Sequence, residues 1–345
     1  MIPNHIKIGN AKEFLLEYIS HSNFSKIGIL VDENTKSSCL NKLKDSLDFN
    51  YHEIEIKSGE ENKNLQTCSN VWGILTKLNF DRKSLIINLG GGVICDLGGF
   101  VASTYKRGIQ FINIPTTLLG QVDASVGGKL GIDFNNYKNQ IGIFREPNLI
   151  IVDPEFLASL PKRELRSGFA EVIKHCIIRD EKKLDQILNS NWEKSDWLEI
   201  VKHSIKIKSK VVNEDMKEDG PRKILNFGHT IGHAIETTYI NKENRFLHGE
   251  AISIGIICEA YLSHKLNKLS TSDLNKIVDI IKNVFDNNTI EYFEEIVRNA
   301  YHDKKNIDDK IRTCILNKIG QCEYDYEISP NHIIESLEYY NNIAK

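Results

Sequence analysis

Along the first half of the chain, short β-branched and aliphatic runs alternate with longer stretches whose apolar positions fall three and four apart. Residues 27–31, 51–56, 85–89, 111–114 and 149–152 read as strands. Helical stretches such as 65–78 lie between several of them, and strands alternating with helices imply a largely parallel α/β sheet. This half is expected to be Rossmann-like. After Asp153-Pro154 the pattern changes. Trp197, Val201, Ser204, Lys208, Val211 and Asp215 recur at three- and four-residue spacing, and 272–285 and 290–301 behave likewise. The second half is therefore expected to be an all-α domain, with the division near residue 153 giving domains of 1–153 and 154–345. A cleft between two unlike domains is a common place for a small-molecule site. No internal repeat or low-complexity tract is visible.

Composition mainly excludes. The chain has 345 residues, 41% of them hydrophobic, and a formal net charge of -3 with acids and bases interspersed. It can bury a full core, and no basic stripe suited to a nucleic-acid backbone stands out. The most apolar stretch, 85–102, carries Asp96 and five glycines, so no membrane span is expected. The first residues lack the basic start and long apolar core of a secretory signal. Seven scattered cysteines without a C-x-x-C pair indicate neither a disulfide framework nor a cysteine zinc site, and the cytoplasm is the expected location.

The strand at 85–89 runs directly into Gly90-Gly-Gly-Val-Ile-Cys-Asp96-Leu-Gly-Gly-Phe100. Glycines at the carboxyl end of a parallel strand let backbone amides approach a pyrophosphate, and a following helix start adds partial positive charge. The loop suits a dinucleotide, although a triple glycine is also a tight turn and this is not G-x-G-x-x-G. Asp32, after the first strand, is placed either to bond a ribose or to cap a helix over 34–47. Gly59-Glu60-Glu-Asn-Lys63 follows the next strand with a further acid and base. Thr116 and Thr117 follow a strand and suit phosphate or ribose. Gly127-Gly128 leave room beside Lys129 for an anion, with Asp123 upstream and Lys138-Asn139 shortly after.

Glu171, His229 and His248 each lie in an apolar, glycine-marked segment where an ionisable group is costly to bury. Together they are a candidate divalent-metal site, and a two-His, one-carboxylate set leaves a position open for substrate oxygen. His233 stands at i+4 from His229, so the pair could supply two ligands or one ligand and one acid–base group; spacing does not decide. Lys174 shares a helix face with Glu171, which a plain ion pair would also explain. Lys208 sits inward between Ile205 and Val212, where a lysine needs an anionic partner. Arg222, followed by Asn226, could grip a carboxylate in bidentate fashion, or belong to a charged turn before the His229 segment.

These motifs, with Ser103-Thr-Tyr-Lys-Arg-Gly108, 115–129, Lys138-Asn-Gln-Ile-Gly142, 225–236, His248-Gly-Glu250 and Asp303-Lys-Lys305, resemble those of 3-dehydroquinate synthases, in the right order over almost the whole chain. The resemblance implies a dehydroquinate synthase-like fold and zinc, or alternatively cobalt, on Glu171, His229 and His248, with His233 near substrate. It implies NAD along Asp32, Glu60, Lys63, Gly91, Gly92, Val93, Asp96, Thr116, Thr117, Lys129 and Lys138. Asp123, Lys129, Asn139, Lys174, Lys208, Arg222, Asn226, His233 and Lys304 match the family's substrate and catalytic positions. Arg107 matches a residue that reaches a neighbouring subunit's site, implying a homodimer. The implied reaction converts 3-deoxy-D-arabino-heptulosonate 7-phosphate into 3-dehydroquinate and phosphate by transient oxidation, phosphate elimination, reduction, ring opening and aldol closure.

The chain departs from the family's usual pattern at Pro221, Arg145 and Tyr301, none of them an implied metal, NAD or anion-binding position. Rival readings are another sugar phosphate cyclase, an NAD- and metal-dependent polyol dehydrogenase that releases NADH, and a catalytically silent binding partner. A cyclase acting on a sugar without a carboxylate would not need both Lys208 and Arg222.

Overall fold

In the computed structural model, which describes residues 2–44, 47–135, 137–301 and 310–345, ten strands are present. They are β1 (Ile6–Ile8), β2 (Ile27–Asp32), β3 (His52–Ile56), β4 (Leu85–Gly90), β5 (Gln110–Pro115), β6 (Lys129–Phe134), β7 (Tyr137–Phe144), β8 (Leu149–Val152), β9 (Ile311–Lys318) and β10 (Gln321–Ile328). Six join one sheet in the order β1-β8-β5-β4-β2-β3, and every pairing in it is parallel. All five strands expected from the sequence lie in this sheet.

The inner strands β2, β4, β5 and β8 are near-continuous apolar runs because both faces are covered, whereas edge strand β3, His52–Ile56, alternates. Side chains alternate across the pleat: Leu30 and Ile86 pack into one buried cluster with Leu97 and Phe111, while Ile29, Val31 and Ile87 pack into another with Leu15 and Leu40. Helix Gly92–Thr104 lies closely on the first face because Gly98 and Gly99 offer no side chain. A Cβ at Gly98 would collide with the Asn88 amide, and one at Gly99 would stand 2.5 Å from Leu130.

From β2 the chain moves outward to β3, then returns to β4 on the other side of β2 and continues outward to β5. The connections thus part between β2 and β4. Their carboxyl ends form a topological switch point, where open parallel sheets bind ligands. Asp32 ends β2 and Gly90 ends β4, so the order of strands alone puts the glycine loop there.

Contacts divide the chain into two units, Met1–Leu165 with Trp197–Ser209, and Arg166–Asp196 with Lys210–Lys345. The first holds the sheet and an antiparallel β6–β7 hairpin that the sequence reading did not resolve. The second is largely helical, as expected, but for one departure: β9 and β10 form an antiparallel hairpin. Its central helix, His248–Lys265, is buried at Ala251, Ile252, Ile256, Ile257, Cys258, Ala260 and Leu262. A Cβ at Gly232 would lie 3.0 Å from Ile252 Cα, and one at Gly255 would strike the Gly228 carbonyl, so glycines let helix His229–Tyr239 press against it.

Candidate active site

In the helical unit, Glu171 occupies the buried middle of helix Lys162–Arg179 and His229 and His248 are the first residues of their helices. The three converge. Glu171 Oε1 lies 3.4 Å from His229 Nε2 and 3.5 Å from His248 Nε2, and the three candidate ligand atoms lie within 4.8 Å of one another. Glu171 is fully buried, and its Oε2 accepts from Lys174 Nζ, itself 1% exposed. Lys174 thereby fixes the carboxylate while the other oxygen faces the histidines.

The backbone around these residues is pinned. Gly249 N donates to Ser167 Oγ at 2.9 Å, and a Cβ on Gly249 would run into the Ser167 carbonyl. Gly228 adopts a positive φ of 80°, and a fully buried Glu259 accepts from Gly228 N at 2.8 Å and Thr230 N at 3.0 Å. A carboxylate on the amides of a helix start offsets orphan donors and suits the helix dipole. His229 Nδ1 meets the Phe227 carbonyl at 3.1 Å, which leaves Nε2 as its lone-pair nitrogen.

Burial, followed by the Lys174 ammonium, holds His229 well below the ordinary imidazole range, so it is neutral and able to ligate. Burial would depress His248 too, but the carboxylates of Glu171 and Glu236 beside its two ring nitrogens outweigh it and raise this ring to about 9. His233, one turn beyond His229, is half-buried with its ring 5.0 Å from that of His229 and 5.8 Å from that of His248. A second grouping, His233, Glu236 and His248, also brings ligand atoms within 4.8 Å.

In the sheet unit, Lys63 is buried at 4% exposure. Its Nζ reaches Glu60 Oε1 at 3.1 Å, Asp96 Oδ2 at 3.4 Å and Asn139 Oδ1 at 2.7 Å. Burial would lower it, yet Asp96 and Glu60 keep it charged; burial in turn lifts Asp96 to about 6. Lys138 approaches Glu60 Oε1 at 3.8 Å. Gly91 caps helix Gly92–Thr104, and Cβ atoms at Gly91 and Gly92 would lie 3.0 Å from Thr117 Cγ2 and 3.3 Å from Ala124 Cβ. Val93 is half-buried on the first turn, and Thr116 N bonds Gly90 O at 3.0 Å. Asp32 Oδ1 accepts from Thr35 N at 2.7 Å, so it does cap the following turn. Lys208 Nζ donates to both the carbonyl and Oδ1 of Asp123, each at 2.6 Å, which supplies the anion its inward position required.

Arg222 and Asn226 stand on a 3₁₀ segment, Pro221–Asn226, of the helical unit. Asp215 accepts from Gly220 N at 2.7 Å and Arg222 N at 3.2 Å, while Arg222 Nη1 bonds Met216 O at 2.6 Å. Asn226 Nδ2 donates to Glu218 Oε1 at 2.6 Å. Lys129 and Arg107 are exposed; Lys304 lies outside the described residues.

Family models for the 3-dehydroquinate synthase N-terminal and C-terminal regions match residues 53–167 and 168–306. A 3-dehydroquinate synthase of Parabacteroides distasonis is 38% identical over 338 residues, covering 95% of each chain. The chain belongs to the 3-dehydroquinate synthase family. Another relative, from Thermodesulfovibrio yellowstonii, is 43% identical over 316 residues, 88% of this chain and 87% of that one. Among solved structures, a 2-epi-5-epi-valiolone synthase of Streptomyces hygroscopicus with NAD+ and Zn2+ bound has TM-score 0.89 at 21% identity, covering 99% and 98% of the two chains. A 2-deoxy-scyllo-inosose synthase with carbaglucose-6-phosphate, NAD+ and Co2+ follows at TM-score 0.85 and 24% identity, over 97% and 96%. At these identities the likeness is one of fold.

Two departures from the family pattern have physical accounts. Arg145 lies 5.5 Å over the Phe111 ring and donates to Ile109 O at 2.9 Å, bracing the chain just after the turn Tyr105–Arg107. Pro221 takes a first helical position, where its missing N–H costs nothing, and Arg222 N still reaches Asp215. For Tyr301, which is exposed, no structural reason is found. Sequence reading passed over Glu236 and Glu259. The signal for Glu259 was available, since it is an acid in the otherwise apolar run Ile254-Gly-Ile-Ile-Cys-Glu-Ala260. Among the described residues no helix is long and apolar enough to cross a membrane.

Proposed function

We propose that this protein converts 3-deoxy-D-arabino-heptulosonate 7-phosphate into 3-dehydroquinate and phosphate, a carbon–oxygen lyase reaction of the shikimate pathway. The observation that carries the reading is family identity of 38% over 95% of the chain. Supporting it, several cations and donors that a keto-acid phosphate requires are held by hydrogen-bonded partners, Lys174 by Glu171, Lys208 by Asp123, Arg222 by the Met216 carbonyl and Asn226 by Glu218.

The convergence of Glu171, His229 and His248 fits a zinc or cobalt ion, whose chemistry would be to polarise a substrate hydroxyl. The switch-point loop fits NAD, because Gly90, Gly91 and Gly92 carry backbone amides with no side chain from the carboxyl end of β4 into the first turn of a helix, the setting that suits a pyrophosphate; the cofactor would take and return a hydride. Lys174 fixes the Glu171 carboxylate by an ion pair to Oε2. His233, beside both ligand histidines, is assigned to substrate, where its ring holds or takes a proton on a substrate oxygen. Lys208, Arg222, Asn226, Lys129 and Asn139 are assigned to the carboxylate, phosphate and hydroxyls as cations and donors, and the family pattern adds Lys304 to them. The leaving phosphate supplies the base for its own elimination in this reading.

Arg107 lies on an exposed turn whose residues Lys106 and Arg107 both have positive φ, 50° and 68°. We assign it to a neighbouring copy's site in a homodimer. The seven cysteines are free, in keeping with a cytoplasmic setting. The test combines purified protein, NAD, zinc and the keto-acid phosphate and follows both phosphate and nicotinamide absorbance. Phosphate release with no net NADH is expected. Stoichiometric NADH without phosphate would replace this reading with a polyol dehydrogenase.

A further inference from the structure

We propose that Glu236, absent from the candidate metal set, is a positioning residue that fixes the ring of His248 so that Nε2 points at the metal. The proposal rests on the assignment of Glu171, His229 and His248 as metal ligands. His229, His233 and Glu236 fall at i, i+4 and i+7 of helix His229–Tyr239 and so share one helical stripe. Glu236 is 8% exposed, and its Oε2 lies 3.2 Å from His248 Nδ1, while His248 Nε2 lies 3.5 Å from Glu171 Oε1. The two ring nitrogens therefore face two different carboxylates. With Nε2 given to a metal, Nδ1 carries the proton and donates it to Glu236.

The main chain at His248 is already held. Leu247 N bonds Glu250 Oε2 at 2.8 Å, and Gly249 N bonds Ser167 Oγ at 2.9 Å. What remains free is rotation of the imidazole about its side-chain bonds, and Glu236 restrains it. The two ligand histidines are thus oriented unequally: His229 through a neutral carbonyl, that of Phe227, and His248 through an anion. An anionic acceptor also makes the imidazole a stronger ligand. The grouping of His233, Glu236 and His248 offers a competing role in which Glu236 itself binds metal. That role would require His248 to serve the Glu171 set through one nitrogen and a second ion through the other.

The experiment titrates zinc alone into metal-stripped protein against a chromophoric chelator, for the parent, Glu236→Gln, Glu236→Ala and His248→Ala. Cobalt(II) absorption is recorded in parallel. Positioning predicts that Glu236→Ala weakens zinc about 10- to 100-fold at unchanged stoichiometry, with the cobalt band retained but shifted. Glu236→Gln, which keeps an acceptor oxygen and the shape, should lose less. Unchanged zinc affinity in both variants overturns the proposal, as does loss of metal by Glu236→Gln as complete as that of His248→Ala. A lower melting temperature of the stripped variants with parent-like zinc affinity would reduce Glu236 to a structural role and also overturn it. Parent-like zinc affinity in His248→Ala would instead remove the metal assignment beneath the proposal, so the two failures are separable.

Discussion

The sheet unit presents its candidate ligand groups partly as backbone, in the glycine loop after β4, and partly as side chains such as Lys63, Asp96 and Asn139 around it. The helical unit presents side chains, and its glycines serve another end, letting helices cross closely enough for Glu171, His229 and His248 to meet. At Gly91 and Gly92 the missing side chain is assigned to a ligand; at Gly232, Gly249 and Gly255 it makes room for another helix. The same residue type therefore carries opposite risks. Filling the first kind of space should block binding and spare the fold, while filling the second should damage the fold itself.

The hardest blow to the helical side is Glu171→Ala. It removes one candidate ligand and strands Lys174, 1% exposed, without the carboxylate it holds. Breaking a buried pair from one side costs about 3–5 kcal/mol. Zinc content by atomic emission should fall to background, and the melting temperature should fall with it. Glu171→Ala protein that keeps stoichiometric zinc would dissolve the contrast, since the metal would then not depend on this side-chain cluster.

Next comes a matched pair of glycine substitutions. Gly249→Ala drives a methyl into the backbone of Ser167, and overpacking of this kind costs about 1–3 kcal/mol or more. Gly92→Ala brings a methyl to 3.3 Å from Ala124 Cβ, a tight contact that a shift of a few tenths of an ångström relieves, on the first turn of a helix that alanine favours. Denaturant midpoints should drop for Gly249→Ala and hold for Gly92→Ala, while NAD affinity by calorimetry should fall for Gly92→Ala. Equal loss of stability in both would erase the distinction.

This difference also governs what could be read from the sequence. Strands β2, β4, β5 and β8 were legible because burial on both faces writes them as nearly continuous apolar runs, edge strand β3 was legible as a short alternation, and the glycine loop was legible because it ends one such run. Glu171, His229 and His248 were legible as ionisable residues in apolar settings. Their supports were not. Nothing in the spacing says that Glu236 lies under His248 or that Glu259 takes the amides of Gly228 and Thr230, because each contact depends on how two helices cross. Hairpin β9–β10 escaped for a related reason: eight-residue strands at Ile311–Lys318 and Gln321–Ile328 carry two register shifts and no unbroken alternation. Asp32 shows the limit from the other side, since a cap and a ribose acceptor demand the same residue at the same place.

A smaller effect separates the two regions by pH. Asp96, beside Lys63 in the sheet unit, has a folded value of about 6 against an ordinary 3.8 because it is buried. The native state binds this proton more tightly than the unfolded chain does. Asp96 therefore favours folding at acid pH, and that contribution is lost as pH rises through the window from the unfolded to the folded value. Asp96→Asn should flatten this part of the stability profile, with a net change at neutral pH on the order of 1 kcal/mol because a desolvation cost and an ion pair disappear together. Melting temperatures of the two proteins across this window provide the check, and parallel profiles would show that Asp96 is not the group responsible.

The smallest effect expected is at Arg145, where a side chain supports backbone in the unit otherwise organised by glycine. Its guanidinium donates to the Ile109 carbonyl and covers the Phe111 ring, and Gly108, at φ 108°, approaches its Nη1 closely enough that a Cβ there would lie 2.8 Å away. Arg145→Phe keeps an apolar body over Phe111 but cannot donate. The loss should be about 1 kcal/mol, the worth of one charged donor on a carbonyl less the aromatic contact regained. The turn from Tyr105 to Gly108 carries Arg107, so amide hydrogen exchange over that turn should quicken while exchange at β4 stays unchanged. If exchange quickens equally along β4, Arg145 supports the sheet as a whole and not the turn that presents Arg107.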